Sequence, residues 1–163
     1  MDWEDGAVII HADDIGMCQA TLPAIADLLD FGLVSSAAVM VPCPWFPQVA
    51  AFCRAQPAID MRGHLTVNCE WSSYRWGPIS TCDRATGMLD EQGYFHASSA
   101  AVKQLADPSA VALELRAQVE RALQAGIDAT HVDAHMGTIL LPRFVQAYVD
   151  VALGNQLPAF LRS

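Results

Sequence analysis

The sequence predicts an α/β fold in which parallel strands are covered by outer helices, as either an open doubly wound sheet or a (β/α) barrel. Three observations predict it. Short β-branched apolar runs alternate with helical stretches along the 163 residues. Glycine, proline and aspartate mark the element ends. Polar residues gather where the strands finish. Alternation of this kind implies a parallel sheet, because parallel neighbours need a crossover between them.

Each element has its own signal. Ala7 to Ala12 (AVIIHA) is an apolar run that reads as a buried strand. Gly16 permits a turn, and Gln19 to Phe31 reads as a helix that Gly32 stops. Ser35 to Val41 is the second strand, Trp45 to Gln56 a helix stopped by Pro57, and Met61 to Val67 the third strand. Periodicity then disappears from Asn68 to His96, and a loop of that length inside a domain is usually functional. Asp107-Pro108 starts a helix that runs to Ala125, before Gly126. Ala129 to Ala134 is the fourth strand, Pro142 to Leu153 a helix, and Leu157 to Leu161 a fifth strand.

Composition narrows the function. The chain is 53% hydrophobic, enough for a core, yet no run of eighteen apolar residues exists, so no membrane partner is expected. The net charge of −9 would repel a polyanion, which argues against nucleic acid. Five scattered cysteines without a C-x-x-C pair read as reduced thiols in a cytoplasmic protein. The acidic Met1 to Asp5 lacks the basic start of a secretory leader.

The chemistry gathers at strand ends. Asp13 and Asp14 close the first strand, His64 stands near the end of the third, and His131, Asp133 and His135 close the fourth. Both fold options put active sites at the C-terminal ends of strands, so the three segments converge. Residues two apart share a strand face, which aligns His131, Asp133 and His135. A turn at Gly16 lets both aspartates face the same mouth. A carboxylate with two imidazoles is a common donor set for one divalent ion and leaves room for water. Asp13, left off the metal, is placed as general base. The blander reading makes a strand-end aspartate a helix cap and a lone sheet histidine a hydrogen-bonded core residue; His11 and His96 are assigned to that class. In the long loop, Trp71, Arg75 and Trp76 suit a sugar, though the tryptophans equally suit pinning the loop to the barrel.

These residues also carry a family resemblance. HADDIG (His11 to Gly16), GHLTVN (Gly63 to Asn68) and THVDAHMGT (Thr130 to Thr138) resemble the three motifs of the YdjC-like carbohydrate deacetylases, in family order. The resemblance implies an irregular (β/α) barrel that removes N-acetyl groups from a sugar or oligosaccharide. It implies Asp14, His64 and His135 as metal ligands and Asp13 as the base. His131 and Asp133 are expected behind the ligands, orienting them. The family's metal is magnesium or zinc, and two imidazoles favour zinc.

Two departures shape the expectations. Met136-Gly137-Thr138 stands where chitooligosaccharide deacetylases carry further histidines, which points to a different substrate subgroup. The chain also ends before a late His-Pro-Gly motif, whose histidine the family implies as general acid. The expectation is one domain over residues 1–163, an incomplete barrel of about five strands with its C-terminal part missing. With an open edge at Leu157 to Leu161, the chain either self-associates there or is a fragment of a longer protein, and deacetylase activity would be weak or absent. The alternatives are another barrel metallohydrolase, a phosphoesterase or amidohydrolase, and a non-catalytic fragment that binds metal or sugar.

Overall fold

The structure is a computed structural model and describes residues 8–161. Its elements are β1 (His11–Ile15), α1 (Thr21–Asp30), β2 (Ser36–Val39), α2 (Phe46–Ala55), β3 (Met61–Leu65), α3 (Ser99–Leu105), α4 (Pro108–Gln124), β4 (Ala129–Ala134) and α5 (Val145–Gly154). A single 3₁₀ turn, Arg84–Thr86, interrupts the long loop, and a second 3₁₀ segment, His135–Leu140, follows β4.

The four strands are all parallel and lie in the order β1-β2-β3-β4. The order never reverses, so the sheet has no doubly wound switch point; sequential parallel neighbours form the wall of a barrel. Registers pair Ala38 with Arg62 and His64 with Asp133. Alternation then puts Ser36, Ala38, Arg62, His64 and Asp133 on one face. The opposite face carries Ala37, Val39, Met61, Leu65 and Val132, all buried under the helices. The core therefore sits outside the sheet, and the inner face is polar.

Several expectations shift. The first strand begins at His11 rather than Ala7, which lies outside the described residues; Asp13 and Asp14 are therefore within the strand. The fifth strand shrinks to one parallel bridge, Ala159 with Val132, closed by Val132 N–H to Pro158 O and Phe160 N–H to Val132 O, both 3.0 Å. Pro158 has no N–H to extend that ladder. Tyr148 Oη on α5 lies 2.7 Å from Val132 O and 3.1 Å from Phe160 O, and holds this segment against β4. Helix α3 had no helical periodicity to announce it. Its signal was the cap: Ser98 accepts from Ala101 N–H.

Helix α4 joins the sheet to the long loop. Asp107 caps it, accepting from Ser109 N–H at 2.7 Å, with Pro108 at its first turn. Its buried face includes Val111, Leu115 and Val119, and also Glu114 and Gln118. Glu114 accepts from the backbone N–H groups of Ile79 and Ser80. Gln118 accepts from Thr66 N–H (3.0 Å) and donates to Thr66 O (2.7 Å) and Glu114 Oε1 (2.7 Å). It therefore satisfies the backbone just where β3 ends, two residues after His64. Replacing Gln118→Leu is expected to destabilise the fold by about 2–4 kcal/mol, because buried backbone and carboxylate groups lose their partners. Urea unfolding measures it, and a loss below about 0.5 kcal/mol would contradict this role of the amide.

Candidate metal centre

A β-bulge builds the site. On β1, Ala12 pairs with Ala37 and Ile15 with Val39, so three steps on β1 oppose two on β2. The extra residue lets neighbouring side chains reach the same side. Asp14 takes φ +62°, a conformation that aspartate tolerates better than most residues. The sequence reading gave this task to a turn at Gly16. Gly16 does have φ +88°, but the irregularity already lies inside the strand.

Three donor atoms converge there. Asp14 Oδ1 lies 3.3 Å from His64 Nε2 and 3.0 Å from His135 Nδ1. The two ring nitrogens are 3.2 Å apart. A tetrahedral zinc ion with bonds of about 2.0–2.1 Å separates its ligands by roughly 3.3 Å, so the triangle fits one. Asp14 Oδ1 is buried without a hydrogen bond of good geometry, as expected of an oxygen meant for a cation.

Each imidazole has a carboxylate at its far nitrogen. His64 Nδ1 lies 2.6 Å from Asp133 Oδ1, and His135 Nε2 lies 3.0 Å from Glu70 Oε2. This is the usual support of metal-binding histidines. Burial opposes a charge on His64, but Asp133 and Asp14 outweigh it and raise its pKa to about 9. Burial likewise opposes the Asp14 charge, yet His135 and His64 hold its carboxyl well below the ordinary range.

A second acidic group is built differently. His11 Nε2 lies 2.8 Å from Asp13 Oδ1 and 3.6 Å from Asp133 Oδ2. These three residues are close enough to hold an ion. However, Arg62 Nη1 sits 3.3 Å from Asp133 Oδ2 and already supplies the positive charge, while His64 occupies Asp133 Oδ1. The Asp14–His64–His135 group is the better cation site. Burial and the Arg62 charge lower the pKa of His11. His11, assigned to the core by the sequence reading, instead lines an open cleft of about 360 Å³ with Asp13, Arg62, His64, Asp133 and Phe160. The missed signal was its spacing, two residues before Asp13 on one strand.

The remaining expected residues have different surroundings. A second bulge lies in β4, where Met61 pairs with Ala129 but Gly63 with Val132. His131 stays near the cleft: its ring is 6.4 Å from that of His11, and burial with the Arg62 charge lowers its pKa. Its Nδ1 lies 2.6 Å from Thr130 Oγ1 and 3.8 Å from Asp60. Arg75 is committed to the loop: it pairs with Asp90 at 2.7 Å, donates to Phe95 O and lies over the Tyr94 ring. Trp76 is buried, donates from Nε1 to Asn68 O at 2.9 Å, and has its ring 6.2 Å from that of His135. It therefore packs as a wall behind a donor histidine. Trp71 is half exposed and remains available at the surface. His96 Nε2 lies 3.0 Å from Gly87 O.

With this geometry in place, likeness to known proteins is informative. The sequence model of the family described as YdjC-like protein matches residues 7–163. A carbohydrate deacetylase of Thermus thermophilus is 32% identical over 92% of this chain and 51% of its own length. Carbohydrate deacetylases of Thermoanaerobacter pseudethanolicus (22% identical) and Brevibacillus brevis (28%) align over 93% of this chain and over 58% and 57% of their own lengths. The chain thus spans a little over half the length of these relatives. A crystal structure from Enterococcus faecalis V583, of a protein provisionally named a cellobiose-phosphate cleavage protein, superposes with TM-score 0.82. It is 25% identical over 93% of this chain and 57% of its own.

Two expectations follow. Because folding raises the His64 pKa from the ordinary 6.5 to about 9, the stabilisation it brings is full below 6.5 and is lost as pH rises through 9. With a chelator present, the melting temperature should fall across that window, and the fall should flatten in His64→Asn. An equally steep fall in the variant would assign it elsewhere. Trp76→Ala is expected to cost about 3–5 kcal/mol of stability. A stable variant with only a raised KM would return Trp76 to a substrate role.

Proposed function

The chain belongs to the YdjC-like family, and from that premise we propose that it carries the metal centre of a carbohydrate deacetylase, which hydrolyses N-acetyl groups on a sugar. The observation that carries this reading is the donor triangle of Asp14, His64 and His135, 3.0–3.3 Å on a side, with a carboxylate behind each ring. One carboxylate and two imidazoles suit zinc better than magnesium, which prefers an all-oxygen octahedron.

Held by Asp14, His64 and His135, a divalent ion would supply Lewis acidity, which would lower the pKa of water from about 15.7 towards 7 and polarise the acetyl carbonyl. The chain's own residues do the rest. Asp14 is the anionic donor, and its low pKa keeps it ionised. Asp133 holds His64 with Nε2 facing the site. Asp13 stands on the cleft, 3.9 Å from His64 Nδ1, with Oδ1 held by His11. It takes the proton of the attacking water. An amide nitrogen departs well only when protonated. Asp13, once protonated, and His11 behind it are the donors that the described residues place on that cleft. Trp71 offers an exposed indole face for the apolar side of a sugar ring.

The purified chain should bind one zinc per molecule, and His64→Ala or His135→Ala should sharply reduce that content. Asp13→Asn should keep the metal and lose roughly 10²–10⁴-fold in acetate release from N-acetyl sugars. Full metal content in both histidine variants would refute the donor set. Full turnover in Asp13→Asn would refute the base.

A further inference from the structure

Glu70 stands on the long loop, where the sequence gives no pattern to single it out. Its Oε2 lies 3.0 Å from His135 Nε2. Behind it runs an unbroken chain of polar contacts. Asn68 Nδ2 reaches Glu70 Oε2 at 3.4 Å. Thr138 Oγ1 lies 2.8 Å from Asn68 Oδ1, and Ser99 Oγ lies 2.6 Å from Thr138 Oγ1. Asn68, Thr138 and His135 are all buried, and Trp76 Nε1 pins the Asn68 carbonyl.

Only one arrangement of protons satisfies this chain. A carboxylate only accepts, so Asn68 must turn its amide nitrogen towards Glu70. Its oxygen then faces Thr138, which must donate to it. With its one proton spent, Thr138 can only accept from Ser99. Every donor therefore points towards Glu70. His135 must present Nε2–H to that oxygen, which leaves the Nδ1 lone pair facing Asp14 and His64. The far end of the chain is Ser99, at the first turn of α3.

We propose that Glu70 is a positioning residue for the metal centre: it fixes the tautomer and tilt of His135, and the Asn68–Thr138–Ser99 relay aims it. The proposal rests on the metal reading of the Asp14, His64 and His135 site. Glu70 plays for His135 the part that Asp133 plays for His64, but from a loop rather than a strand. That loop is tied down by Glu114, which accepts from Ile79 and Ser80.

The test is zinc binding by the full chain, measured by competition with a chelator. Glu70→Ala should bind zinc about 10–100-fold more weakly than wild type, as loss of such partners typically does. Glu70→Gln keeps an acceptor oxygen without the charge and should fall between the two. The metal-free melting temperature should stay close to wild type in both. Nitrogen-resolved NMR of the zinc-loaded chain should show a slowly exchanging Nε2–H on His135, which Glu70→Ala loses. The proposal is overturned if Glu70→Ala binds zinc as tightly as wild type, or if wild-type His135 carries its proton on Nδ1. In the first case the metal reading stands; in the second the donor triangle, which uses His135 Nδ1, falls as well. Wild-type protein that binds no zinc would overturn both.

Discussion

The contact between His64 and Asp133 is the hinge of this site. The two residues are register partners on adjacent strands, and their side chains meet at 2.6 Å in a buried setting. Sheet pairing alone therefore fixes which nitrogen of His64 faces Asp133 and which faces Asp14. Arg62, two residues before His64 on β3, closes the pair by balancing the other Asp133 oxygen. Four carboxylates, of Asp13, Asp14, Glu70 and Asp133, surround the two central histidines, against one guanidinium. Such a charge set is costly unless a cation joins it. In the metal-free protein the His64 proton supplies part of that charge. A divalent ion would supply more.

Regular strands could not bring these groups together. Both bulges lie next to the site, one turning Asp13 and Asp14 to the same side and one in β4 just before Val132. The chain also turns through positive φ at Asp14, and again at Met136 and Gly137 directly after His135. Each irregularity falls beside a proposed ligand. Such conformations persist only where packing over-determines them. Here the packing comes from Tyr148 under β4, from Trp76 behind His135, and from Gln118 at the exit of β3.

The layout was readable because strand and helix periods differ and because the polar residues stood at strand ends. The β4 span, Ala129–Ala134, was read to the residue, and the long helices to within a few. Helix α3 was missed because its residues, Ser99–Leu105, are small and mixed, and its only marker was a serine cap. The likeness of three motifs brought Asp14, His64 and His135 to one point, where the structure also puts them. The bulge that turns Asp13 and Asp14 to one side was not legible, because a bulge leaves no trace in residue types. Arg75 and Trp76 look like ligands for a sugar in the sequence. Their partners, Asp90, Phe95 O and Asn68 O, are set by a loop whose path has no period to read. Glu70 was hidden for the same reason.

X-ray absorption at the zinc edge tests the central claim most directly, since it reports the donors whatever the turnover. For the zinc-loaded chain the expected first shell is nitrogen and oxygen at about 2.0–2.1 Å, with the outer-shell scattering of two imidazole rings. The five cysteines are all free, so a thiolate site is a real competitor. A first shell containing sulfur at about 2.3 Å, or one without imidazole scattering, would contradict a centre formed by Asp14, His64 and His135.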